Sequence, residues 1–105
     1  MRVRAAGFDW DDGNRRKCQA HGLSIGDIEH VLAHAESMMV PDERNSLVEP
    51  RFLAIGRTTA GRYALVVFTP RQKGDDLLLR PISARYMHKK EIKKYAQEIS
   101  GAQNR

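Results

Sequence analysis

The chain has 105 residues, 41% of them hydrophobic and 30% charged, which fits one globular domain spanning 1–105 and excludes both a two-domain protein and a disordered one. No stretch approaches the roughly 20 apolar residues of a membrane span, Met1-Arg2-Val3-Arg4 leads into no apolar signal region, and the lone Cys18 can form no internal disulfide or CxxC pair, so a cytoplasmic protein with no membrane partner is expected. The net charge of +5 is unevenly divided: residues 1–50 carry six Lys/Arg and nine Asp/Glu, whereas residues 51–105 carry twelve and four. A basic half beside an acidic half suggests one face for a polyanion and a second face for another partner.

Residues 3–9 read as a short first strand. Asp11 or Asp12 can cap a helix through about Ala20, because an aspartate oxygen accepts bonds from the unpaired first-turn amides. His21-Gly22 is the stop, glycine being suited to the left-handed conformation at a helix end. Ser24-Ile25-Gly26-Asp27 opens a second helix, with a serine cap and a carboxylate at the positive end of the dipole. Ile25, Ile28, Val31, Leu32 and Ala35 follow at helical spacing. The polar segment 41–50, bounded by Pro41 and Pro50, reads as a loop.

Three strands are expected next. Arg51 to Thr58 is the first, with Ala60-Gly61 in a tight turn, and Arg62 to Thr69 is the second, apolar on both faces as a central strand should be. Pro70 to Asp75 reads as a turn and Leu77 to Arg85 as the third strand. Pro81 cannot donate a ladder hydrogen bond, which argues for an edge position or a bulge. His88 to Ser100 predicts a helix with Ile92, Tyr95, Ala96 and Ile99 on one face, and residues 102–105 should fray. The order is β-α-α-β-β-β-α, an α+β fold with an antiparallel sheet covered by helices on one face.

The four histidines are scattered. His30 and His34 share a helix face, but two ligands do not make a zinc site, and a HEXXH motif would need glutamate where Val31 stands. No metal site and no cofactor is expected.

Several segments, taken in order, resemble the BrnT family of ribonuclease toxins from bacterial toxin–antitoxin pairs. Phe8-Asp9-Trp10-Asp11 is similar to the family's opening, and Lys17 followed by His21-Gly22-Leu23-Ser24 resembles its Lys-x-x-x-His-Gly-Val-Ser segment. Arg51-Phe52-Leu53-Ala54-Ile55-Gly56-Arg57 with Gly61 resembles its hairpin, and Arg80-Pro81-Ile82-Ser83-Ala84-Arg85 its Arg-Ile-Ile-Ser-Ala-Arg strand, while Glu91 and Tyr95 match the family's Glu-x-x-x-Tyr after that strand. Ala20 stands where many relatives carry lysine, and Pro81 where isoleucine is common. The resemblance covers about residues 8 to 96. It implies a RelE-like fold, ribonuclease activity that arrests translation, neutralisation by a BrnA-type antitoxin, and contact with DNA only through the antitoxin in a repressor complex. The substrate would be RNA, with ribosome-associated mRNA as one form of it.

RNA can be cut without metal if a base takes the 2′-hydroxyl proton, cations stabilise the phosphorane and an acid protonates the leaving oxygen. The candidate catalytic residues are Arg85, His88, Arg80 and His21. Arg85 suits a phosphate clamp because its planar fork matches phosphate, the competing use being a salt bridge to Glu91. His88 and His21 are candidates because histidine is the side chain suited to acid–base work at physiological pH, but either can also be a helix-end histidine. Arg80 and Arg85 differ in strand parity, so a bulge at Pro81 would be needed to bring them to one side. Arg57, Lys17, Tyr86, Lys89 and Lys90 are the candidate RNA contacts. Lys89-Lys90 and Lys93-Lys94 form a basic stripe, which can equally be a solvated helix face. Phe68 and Trp10 are expected to pack in the core, and Cys18 to be an inert thiol. The competing functional readings are a non-catalytic nucleic-acid- and protein-binding module, and a toxin whose charged faces chiefly serve its antitoxin.

Overall fold

The computed structural model of the chain describes residues 5–34, 38–41 and 49–103, with 38–41 and 98–103 described by backbone alone. Strand β1, Gly7–Phe8, leads into helix α1, Asp12–Cys18. Asp11 caps it: its carboxylate accepts from the Asn14 amide, while the Asn14 side chain accepts from the Asp11 amide. The helix stops two residues short of the expected end, and Gly22 takes φ +98° in the turn beyond it. Helix α2, Ile25–Ala33, starts in the reciprocal Ser24–Asp27 box that its sequence predicts, and buries Ile28, Val31 and Leu32. Ala35 and most of the expected 41–50 loop lie outside the described residues.

Strands β2 (Met38–Pro41), β3 (Phe52–Arg57), β4 (Tyr63–Lys73) and β5 (Asp76–Tyr86) complete a five-stranded sheet of order β1-β5-β4-β3-β2, and helix α3, Lys89–Gln103, comes after it. β2 was not expected. Its apolar stretch is too short to alternate visibly, and it forms by antiparallel pairing with β3. The expected 70–75 turn contracts to Gly74-Asp75, with Lys73 opposite Asp76 and Gly74 at φ +60°. Glycine at the first central position suits a two-residue hairpin of this kind. Pro70 is accommodated because β3 begins opposite Phe68, leaving the part of β4 from Thr69 onward paired with β5 alone.

Two fold expectations need correction. The sheet is mixed rather than antiparallel: β2 to β5 run antiparallel in sequence, but β1 pairs parallel to β5, Gly7 with Leu78 and Phe8 with Leu79. The helices also do not share one face. α1 and α2 cover the side carrying Ala54, Ala64, Val66, Phe68 and Ala84, which with Cys18, Leu23, Ile28, Val31 and Leu32 form the buried core. Tyr63 and Leu65 alternate with Ala64 and Val66, so they stand on the other side. There Tyr95 of α3 packs edge-on against Tyr63, ring centroids 5.7 Å apart. The cause lies at the end of β5, where Arg85 leaves on that other side and ties to Glu91 in the first turn of α3.

The bulge anticipated at Pro81 is present. Val67 pairs with Ser83 but Phe68 with Pro81, so Ile82 is the extra residue. The freed Pro81 carbonyl accepts from Asn14 Nδ2 at 2.9 Å, and the same nitrogen donates to the Asp9 carbonyl. Asn14, 7% exposed, thus fastens α1 to the bulge and to the end of β1. Trp10 makes the next tie, its indole N–H donating to Glu29 of α2 while its ring packs on the core.

Candidate functional site

A cleft of about 340 Å³ opens where α1 passes over the bulge. Gly13, Asn14 and Lys17 form one wall, and Arg80, Pro81 and Ile82 the floor. Arg71 of β4, with Glu49 and Arg51 from the segment entering β3, closes the far side. That segment is anchored by the buried Thr69, whose hydroxyl donates to the Pro50 carbonyl. Glu49 therefore sits between two guanidinium groups, 3.3 Å from Arg71 and 3.7 Å from Arg51. Arg80 is held from the opposite rim by Asp11 at 2.8 Å and Asp9 at 3.6 Å. The Asn14 amide N–H, followed by the Arg80 guanidinium, holds the Asp11 carboxyl below its ordinary value. Lys17 makes no ion pair among the described residues. Four cations and one carboxylate line this cleft, which fits a phosphodiester and a base for the neighbouring hydroxyl.

A second cluster occupies the other end of β5. The exposed Arg62 lies flat over the Tyr86 ring, 3.5 Å from its centroid, and Arg57 lies 5.0 Å from that of Tyr63. The His21-Gly22 turn abuts this cluster, since a Cβ on Gly22 would come 3.7 Å from Tyr86 Cε2. His21 is exposed. His88 is exposed too, and caps α3 with its backbone: its N–H donates to Glu91 and its carbonyl accepts from Ile92. Lys89 and Lys90 are exposed in the first turn of α3.

The expected site residues are thus divided. Lys17 and Arg80 meet in the cleft; the others lie towards the far end, His21 and Tyr86 on the α1 side of the sheet and Arg57 on the α3 side, with His88, Lys89 and Lys90 at the start of α3. The bulge does restore the parity of Arg80 and Arg85, because their partners Thr69 and Leu65 are four apart. The two arginines still stand about 13 Å apart along the strand, each bound to its own carboxylates. Arg85 spends its fork on Glu91 through paired bonds of 2.7 and 2.8 Å. That fork, with the His88 amide, lowers the Glu91 carboxyl to about 2, and Glu91 raises Arg85 in turn. Glu49, Arg51 and Arg71 were not singled out as site residues. The available signal was a carboxylate two residues before an arginine at a strand entrance, but only tertiary pairing shows that Arg71 faces them.

The sequence from residue 10 to residue 91 matches the family described as the ribonuclease toxin, BrnT, of type II toxin–antitoxin systems. The chain belongs to the BrnT family. No curated protein matches it. BrnT membership makes it a ribonuclease toxin, with RNA as substrate and an antitoxin protein as partner. The match takes in the whole of α1 and the strands that line the cleft. No helix among the described residues is long and apolar enough to cross a membrane.

Proposed function

We propose that the chain is a metal-independent endoribonuclease of RelE-like fold that cuts RNA in the cleft beside α1 and so arrests translation. The observation that carries this reading is Glu49 held between Arg51 and Arg71, in a cleft shared with Lys17 and Arg80. An entering phosphate competes for the two arginines and draws them off the carboxylate, which is left free to accept a proton. Glu49 then takes the 2′-hydroxyl proton, and the 2′-oxygen attacks phosphorus. Arg71 and Arg80 hold the non-bridging oxygens of the phosphorane. Lys17 protonates the leaving 5′-oxygen, so the products are a 2′,3′-cyclic phosphate and a 5′-hydroxyl end. His21, Arg57, Tyr86, His88, Lys89 and Lys90 belong to the path of the RNA beyond the cleft, and Arg85 acts through Glu91 as a positioning residue for α3. A BrnA-type antitoxin neutralises the toxin by covering the cleft with an acidic segment, and DNA is contacted only through that complex.

The test is total RNA incubated in EDTA with protein freed of its antitoxin. Wild type should cleave, and Glu49→Gln or Arg80→Ala should lose about a hundredfold or more, the scale of one acid–base or electrostatic contribution. Full activity in both variants overturns the site, and loss of wild-type cleavage to EDTA overturns metal independence. A non-catalytic binding module is the second reading, favoured by the pairing of Arg51, Arg71 and Arg80 with carboxylates. RNA bound in a salt-sensitive way yet left intact, on translating ribosomes as well as free, would select it.

A further inference from the structure

Among the described residues, Arg51, Arg71, Arg80 and Arg85 each meet a carboxylate, whereas Arg57 and Arg62 lie on tyrosine rings and meet none. Arg62 is the more unusual of the two. It closes the β3–β4 turn, where the buried Thr58 bonds both its carbonyl and its amide, so its backbone is fixed. Its guanidinium lies on the half-buried Tyr86, which rests on the core and against the Gly22 turn. One face of the guanidinium is thus covered and the other turned to solvent, on a support that packing holds in place. A solvated arginine spends entropy to lie down in this way, and for a fold already anchored by Tyr86 the stack adds little.

We propose that Arg62, backed by Tyr86, is a stacking subsite for one unpaired RNA base upstream or downstream of the scissile phosphate. The base lies on the outer face of the guanidinium, whose edge N–H groups reach the adjoining phosphate. Ala84, Tyr86, Cys18 and Gly22 place this subsite on the same side of the sheet as α1, and α1 runs from the cleft towards it. Along the β4–β5 ladder, Arg80 opposite Thr69 and Tyr86 opposite Ala64 are five positions apart, about 17 Å, and the odd count puts Arg80 on the α3 side of the sheet and Tyr86 on the α1 side. An RNA strand that reaches both passes over the edge of β5, so the cut and the stacked base are separated by about five or more nucleotides stacked as in a duplex. The subsite therefore reads a base a fixed distance from the cut, which gives the toxin a preference that the cleft alone does not supply. The assignment of the scissile phosphate rests on the cleft being the ribonuclease centre, whereas the subsite itself is measured by binding.

The experiment uses 2′-O-methyl octanucleotides, which cannot be cleaved through a 2′-hydroxyl, each carrying one abasic residue at a different position. Wild-type affinity should fall at least fivefold at a single position and little elsewhere, as loss of one base stack requires. Arg62→Lys keeps the charge but not the plane; it should bind every oligomer equally, with the positional minimum gone. A flat wild-type profile overturns the subsite. So does a minimum that persists in Arg62→Lys, which would make Arg62 a simple phosphate contact. A clear minimum in a protein that leaves total RNA intact keeps the subsite and discards the catalytic cleft.

Discussion

Asn14 carries more of the structure than its place on a seven-residue helix suggests. It completes the capping box that Asp11 opens, and its amide nitrogen donates to two carbonyls, that of Asp9 just before α1 and that of Pro81, freed by the bulge. Asn14→Ala would orphan these groups together, and we expect a loss of about 2 kcal/mol, read as a lower urea midpoint. Beside it, Cys18 has no exposed surface and burial pushes its thiol up to about 11. Its reaction with a thiol reagent at pH 8 should therefore wait on unfolding, and the same substitution should speed it. Fast labelling of folded wild type would contradict the packing described. At this scale the sequence was partly legible. The Arg85–Glu91 pair stood as an alternative because the two residues lie six apart across a strand end. Glu49, Arg71 and Arg62 did not stand out, since each needs a partner brought from another strand.

Among the elements, α3 depends most on one contact. It meets the sheet through Tyr95 on Tyr63 and through Glu91 on Arg85, and its first turn carries Lys89 and Lys90 against the helix dipole. The Glu91 carboxyl is lowered from 4.5 to about 2 in the folded chain. A lowered carboxyl contributes stability that is present above its unfolded value and is lost as pH falls through its folded one. The stability gap between wild type and Glu91→Gln should therefore be constant above about pH 5 and close towards pH 2. A gap unchanged at pH 2 would show that the pair carries none of the acid sensitivity. Helix α2 and the β3–β4–β5 meander were legible because caps, periodicity and turn glycines are local signals. β2 and the parallel partner of β1 were not, because a strand of two or four residues has no period to read, and only its neighbour defines it.

For the whole molecule, the charge asymmetry turns out to be internal complementarity. Asp9, Asp11 and Glu49 from the acidic half lie on Lys73, Arg80, Arg71 and Arg51 of the basic half. The two halves were legible as opposites but not as partners. On the proposed function, the cations without a carboxylate partner among the described residues, such as Lys17, Arg57, Arg62 and Lys89 and Lys90 of α3, are the ones that meet RNA. Binding should weaken steeply with salt, and reversing the exposed pair Lys89 and Lys90 to glutamate should reduce the slope of log affinity against log salt by about two contacts. An unchanged slope would remove α3 from the path.

The cleft joins Lys17, near the start of the chain, to Arg80, behind the Asn14 clasp that spans 67 residues of sequence. A chain growing on a ribosome has therefore made α1 long before the floor of the cleft exists. Neither half can assemble the cation set until β5 has emerged, and contacts of such long range form late. If the cleft is the cutting site, as proposed, a ribonuclease toxin built this way stays harmless to the ribosome producing it, and an antitoxin waiting nearby has the interval between release and closure in which to act.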